Sequence, residues 1–202
     1  MALVLCMSQR TFAVAQRTRA AAKQTIGADS SWITEAKASG GYARPQVLSD
    51  SPAPTLIDNS IGFELGYLVY GPVGIGASSE YHWLLQYSSV DSSVGNMKGQ
   101  RQEWLNPALI FSWNDYLVQA GFILMGDYAL ANSTKNGAKI TYTKPRGWRL
   151  EGAYAFFKPM YFGLKFESVA YATKKSSDGS EIDLASNKLQ IFESGIFMAY
   201  LF

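Results

Sequence analysis

From residue 60 to the C-terminal Phe202, apolar and polar side chains alternate with period two in runs of about a dozen residues. Period two belongs to strands, whose successive side chains point to opposite faces. In the run 73–88, Val73, Ile75, Ala77, Tyr81, Trp83, Leu85 and Tyr87 share one face. Gly74, Gly76, Ser78, Glu80, His82 and Gln86 share the other. The runs group into hairpins: 60–71 with 73–88, 101–113 with 115–130, and 146–157 with 160–173, followed by a last run at 189–202. The hairpins turn tightly at Gly71-Pro72, Asn114-Asp115 and Lys158-Pro159. The segments between them, 89–100, 131–145 and 174–188, are long and rich in Ser, Gly, Asn, Asp and Lys, a loop composition.

Short turns at one end and long polar loops at the other are the asymmetry of a closed barrel that crosses a membrane by strands. Seven strands are countable after residue 60. An even number is required to return both termini to one side, so an eighth is expected at 34–47, around Gly40-Gly41-Tyr42, with Pro45 near its end. The expected fold is therefore an all-β, up-and-down antiparallel transmembrane β-barrel of eight strands occupying residues 34–202. Residues 49–54 then make its first outer loop.

A soluble β-barrel also alternates, so the placement of aromatic and charged residues has to discriminate. Tyr67, Tyr70, Trp113, Tyr116, Phe156, Phe157, Tyr161, Phe162, Tyr200 and Phe202 fall near the short turns, and Tyr87, Tyr128 and Trp148 near the loop ends. Two aromatic bands match interfacial girdles, in which amphipathic rings sit at headgroup level. The twelve steps from Tyr116 to Tyr128 make roughly 40 Å of strand, which a tilt near 40° lowers to about 30 Å across the membrane. The opposite face carries Glu64, Glu80, His82, Gln119, Asp127, Arg149, Glu151, Lys165, Glu167 and Glu193. That face is too polar for a dry soluble core, but it suits a narrow lumen in which Glu pairs with Arg and Lys in a ladder.

Composition agrees. A mean hydropathy of -0.05 is what alternation averages to, and no run reaches the ~18 apolar residues of a membrane helix. A net charge of +2 spread over the chain offers no basic stripe for nucleic acid. Cys6 is the sole cysteine, which excludes an intrachain disulfide and a cysteine metal site. Leu3-Val4-Leu5-Cys6 approaches a lipoprotein acylation motif, except that Leu5 stands where that motif takes a small residue. Residues 1–15 read as the remnant of an export signal: an apolar stretch from Ala2 to Met7, then Ala13-Val14-Ala15 before Gln16. Residues 16–33 would then be a periplasmic segment, the alternative being a frayed cytoplasmic N-terminus.

The last eight residues, Gly195-Ile196-Phe197-Met198-Ala199-Tyr200-Leu201-Phe202, resemble the C-terminal signal of small bacterial outer membrane β-barrel proteins. That family ends on an aromatic residue with apolar residues alternating before it, as Ile196, Met198, Tyr200 and Phe202 do here. Its usual glycine five residues before the terminus is Phe197 in this chain. The resemblance implies a place in the bacterial outer membrane, contact with outer-membrane lipid, and recognition of the last strand by the barrel-assembly machinery. It implies no cofactor or metal.

His82 is the single histidine, and any histidine-dependent hydrolysis would need it. Small outer-membrane lipid A deacylases and acyltransferases resemble this architecture, one of them with His-x-Ser on a strand. Here His82-Trp83-Leu84 lacks the serine, and parity turns His82 to the lumen. The glycines recur at strand spacing without the loop-to-helix setting of a phosphate cradle. The expected role is structural, surface-interactive or adhesive, exerted through the outer loops on a ligand the sequence does not name. The alternatives are a lipid-modifying enzyme, a narrow pore, or a soluble lipid-binding barrel.

Overall fold

The computed structural model describes residues 31–47, 55–86, 97–132, 139–175, 179–184 and 189–202. The expected signal remnant, most of the periplasmic segment, Tyr87 and the tips of the long loops lie outside them. The described residues form ten strands: β1 (Trp32–Val47), β2 (Leu56–Tyr70), β3 (Val73–Gln86), β4 (Met97–Trp113), β5 (Tyr116–Ile123), β6 (Gly126–Asn132), β7 (Lys139–Phe157), β8 (Met160–Lys175), β9 (Glu181–Asp183) and β10 (Leu189–Leu201). Successive β5 and β6 together form one stave, since both pair with β4 on one side and β7 on the other. The short β9 only pairs antiparallel with the loop end of β8, beyond the stretch that pairs with β10. The remaining strands pair with their neighbours and β1 closes on β10, from Glu35 opposite Leu201 to Val47 opposite Leu189. The result is a closed, antiparallel barrel of eight staves. Its first stave begins at Trp32, two residues before the expected start, so Trp32 and Ile33 belong to the wall.

Closure leaves no edge whose backbone groups would need a partner in lipid. The last backbone bond, from the Phe202 amide to the Thr34 carbonyl at 3.0 Å, ties the C-terminus to the first stave at the short-turn end. Alternation sorts the side chains almost everywhere. In β10, Phe192, Ile196, Met198 and Tyr200 point out, as does Phe202 just beyond it, and Ile191, Glu193, Phe197 and Ala199 point in. From Phe192 to Phe202 is ten steps, roughly 33 Å of strand, or about 25 Å of height at a 40° tilt. That height matches the apolar band of an outer-membrane barrel.

Beside the turns the sorting slips at Val69-Tyr70 and Phe156-Phe157, and within the wall it fails at one place, with a local cause. Between the pairs Ser78–Asn106 and Glu80–Glu103, β4 advances one residue more than β3, and Trp104 and Leu105 both face outward. Beside them the break between β5 and β6 turns Leu124 and Met125 outward together, and the Trp104 amide donates to the Met125 carbonyl at 3.2 Å. These adjacent irregularities reverse the parity of the loop-end halves of β4 and β6. Gly126 makes the second one possible: its φ of +149° disfavours a side chain, and a Cβ there would collide with the Gln102 carbonyl.

Candidate functional site

The interior of the barrel is layered. At the short-turn end Ile33, Ile110, Leu117, Ala153, Ala155, Tyr161, Phe197 and Ala199 close the lumen. At the loop end Ala43, Leu56, Leu84, Ile123, Tyr128, Leu130, Val169, Tyr171, Leu189 and Ile191 form a second apolar layer. There Tyr128 packs its ring 6.0 Å from Tyr142 and 5.9 Å from Tyr171, centroid to centroid. All the buried ionic side chains lie between these two seals.

Four cations organise the middle layer. Lys37 Nζ lies 2.7 Å from Glu151 and 3.0 Å from Glu80. Arg149 donates to Glu80 at 2.7 Å, bonds Ser78, and stands 3.3 Å from Glu151. Lys165 reaches Glu80 at 2.7 Å and Glu193 at 3.1 Å. Arg101 lies 2.6 Å from Glu167, 2.7 Å from Glu193 and 3.3 Å from Glu103. Each cation spans acids on different staves, so the network ties opposite walls of the barrel together.

His82 is fully buried, with Nδ1 2.9 Å from Asp58 and Nε2 3.0 Å from Arg101. Two groups of donors converge on it, Asp58 with Glu193 and Glu80 with Glu167, their ligand atoms within 4.8 Å of one another. A metal ion there would stand beside the Arg101 guanidinium and the Lys165 ammonium, which already take the carboxylates. The set is an ion-pair junction in its present form.

No family model matches the sequence, and no curated protein matches it. Among solved structures the barrel is similar to Neisserial surface protein A, at 11% identity and a TM-score of 0.55, over 86% of this chain and 98% of that one. It overlaps Ail, the attachment invasion locus protein of Yersinia pestis, at 8% identity and a TM-score of 0.49, over 84% and 98%. The outer membrane protein OprG of Pseudomonas aeruginosa overlaps at 11% identity and a TM-score of 0.45, over 83% and 95%. The chain has the fold of a small bacterial outer-membrane β-barrel. Its outward girdle fits that fold: Trp113, Tyr116, Tyr200 and Phe202 ring the short-turn end, and Trp148 lies towards the loop end, all between 42% and 73% exposed.

Inside the outer-membrane barrel, Glu64, Glu80, His82, Gln119, Arg149, Glu151, Lys165, Glu167 and Glu193 all point into the lumen and are buried. Tyr128 requires a correction. Expected in the outward girdle, it is fully buried in the loop-end seal, because the break after Ile123 shifts its parity by one residue. The same shift turns Asp127 off the lumen face. Tyr161, grouped by position with the turn-end aromatics, is buried in the lower seal.

Sequence reasoning missed Glu35, Lys37, Asp58, Arg101, Glu103 and Asn106, all buried in the lumen. Arg101 and Glu103 are hidden by the bulge at Trp104-Leu105, since parity counted down from Leu109 assigns both to lipid. Glu35 and Lys37 alternate with Thr34, Ala36 and Ala38, whose small side chains give no apolar contrast. The signal available was chemical: a strand in a lipid-exposed wall can turn a charge only inward.

Proposed function

We propose that this protein is a sealed anchor in the outer membrane that acts through its outer loops in surface interaction or adhesion. One observation carries the reading: two apolar layers close the lumen, and a continuous ion-pair network fills it between them. A lumen built this way has no continuous aqueous path, and eight staves leave an interior only wide enough for side chains. His82 is held inside by Asp58 and Arg101 and is fully shielded from lipid substrates, which argues against a lipid-modifying reaction. The barrel-assembly machinery is the proposed partner of the last strand, whose Ile196, Met198, Tyr200 and Phe202 form a continuous outward apolar row.

The test is to replace residues 87–96 and 133–138 with tight turns. The variant is expected to keep its resistance to SDS before boiling, while adherence of expressing cells to matrix-coated surfaces falls to background. Unchanged adherence would overturn the loop assignment. A steady current through the unmodified barrel in planar bilayers would overturn the sealed lumen.

A further inference from the structure

Positive charge is unevenly shared in the middle layer. Among the described residues, eight buried acids, Glu35, Asp58, Glu64, Glu80, Glu103, Glu151, Glu167 and Glu193, face four buried cations, Lys37, Arg101, Arg149 and Lys165. In the turn-end half, Lys37 and Arg149 direct their donors to Glu80 and Glu151. Glu35 and Glu64 are left over. They stand directly opposite each other on β1 and β2, both fully buried. Like charges in that position repel, and the nearest cation, Lys37, is 3.8 Å from Glu64 and already engaged by Glu80 and Glu151.

Their oxygens are also short of donors. Glu35 accepts one bond, from Gln119 Nε2 at 3.1 Å, and its Oε1 has none. Both oxygens of Glu64 lack a hydrogen bond, and Lys37 comes no nearer to it than 3.8 Å. Gln119, itself buried and fixed by its bond to Glu35, has an amide oxygen without a donor as well. These three residues thus offer two carboxylates and one amide carbonyl, all oxygen, short of hydrogen-bond donors, with Lys37 shared among Glu64, Glu80 and Glu151. Opposed residues on neighbouring strands have Cβ atoms about 5 Å apart, which lets both carboxylates reach a single ion.

We propose that Glu35, Glu64 and the amide oxygen of Gln119 form a site for a hard divalent cation, calcium, inside the barrel. Two carboxylates balance its charge. An all-oxygen donor set selects a hard ion, and calcium, which accepts flexible carboxylate and carbonyl ligation, suits a protein cage better than magnesium, which demands an octahedron and keeps its waters. Ile33, Ile110 and Leu117 in the lower seal cut the pocket off from solvent, so the ion enters as the barrel closes and then exchanges slowly.

The experiment refolds the purified barrel from urea into detergent with calcium or with EDTA, then dialyses both samples against EDTA. The calcium sample is expected to retain a stoichiometric amount of the metal by elemental mass spectrometry and to melt several degrees higher by heat-modifiable gel mobility. Glu35→Gln and Glu64→Gln should retain none and melt alike under both conditions. Gln119→Arg, which brings a fixed cation to the same carboxylates, should refold in EDTA and exclude calcium. No retention by the unmodified barrel, with identical melting, overturns the proposal, as does melting that rises with acid but not with calcium, the mark of a shared proton. Undiminished retention in Glu64→Gln or Gln119→Arg overturns it too, because the metal then sits on other acids.

Discussion

Arg101→Met removes the cation on which the loop-end half of the network depends. Arg101 is fully buried and stands within 3.3 Å of Glu103, Glu167 and Glu193. With it gone, Lys165 remains 3.1 Å from Glu193 but 3.8 Å from Glu167, and Arg149 is 3.9 Å from Glu103. Stranding a buried charge by deleting its partner costs ~3 to 5 kcal/mol, which lowers the folded-to-unfolded ratio by roughly two to four orders of magnitude. A control with the same chemistry is at hand on the surface. Lys158 and Asp115 are 2.8 Å apart at the turn end, but their side chains are 38% and 43% exposed, and Lys158→Met should cost under ~1 kcal/mol. Equilibrium unfolding in urea from lipid vesicles, followed by tryptophan fluorescence, measures both. Adding Glu167→Gln to Arg101→Met should recover part of the loss, since one stranded charge is removed. If Arg101→Met costs no more than Lys158→Met, the lumen is hydrated and the sealed-layer reasoning is wrong.

Three further outcomes are expected. Phe122 points into lipid at 59% exposure, so Phe122→Arg should cost ~2 to 4 kcal/mol in vesicle refolding, whereas Gln119→Arg on the lumen face should refold readily. Tyr128→Ala should cost ~3 to 5 kcal/mol by leaving a cavity beside Tyr142 and Tyr171, where a girdle residue would lose far less; urea midpoints of the two proteins decide. Removing Phe202, which is 73% exposed and packs on Tyr200 at 4.9 Å, should cost only ~1 to 3 kcal/mol in detergent yet strongly reduce surface-exposed protein in cells. Normal surface exposure of that truncation would remove the recognition role of the last strand.

The expected strands lie within two residues of their observed starts at β1, β3, β5, β8 and β10, because tight turns and period two are local properties that survive into the fold. Elsewhere the strands outrun the apolar runs. β2 begins at Leu56, β4 at Met97 and β7 at Lys139, since ladder pairing with a neighbour continues after alternation in hydropathy has faded. Composition marks where lipid stops along a stave, and hydrogen bonding marks where the stave stops.

The lumen divides along the same line. Arg149, Glu151, Lys165 and Glu167 are legible from sequence because they alternate with Trp148, Leu150, Leu164 and Phe166 on unbroken strands. By itself the sequence therefore determined a closed, lipid-facing antiparallel barrel of eight staves, with a charged interior and aromatic ends, since each of these follows from residue type and a period of two. Only the tertiary structure decided that Tyr128 seals the lumen, that Arg101 and Glu103 enter it, and that Glu35 confronts Glu64. The physical reason is that one extra residue at a bulge reverses every side chain beyond it, and which charges meet across a barrel is set by register between strands far apart in the chain.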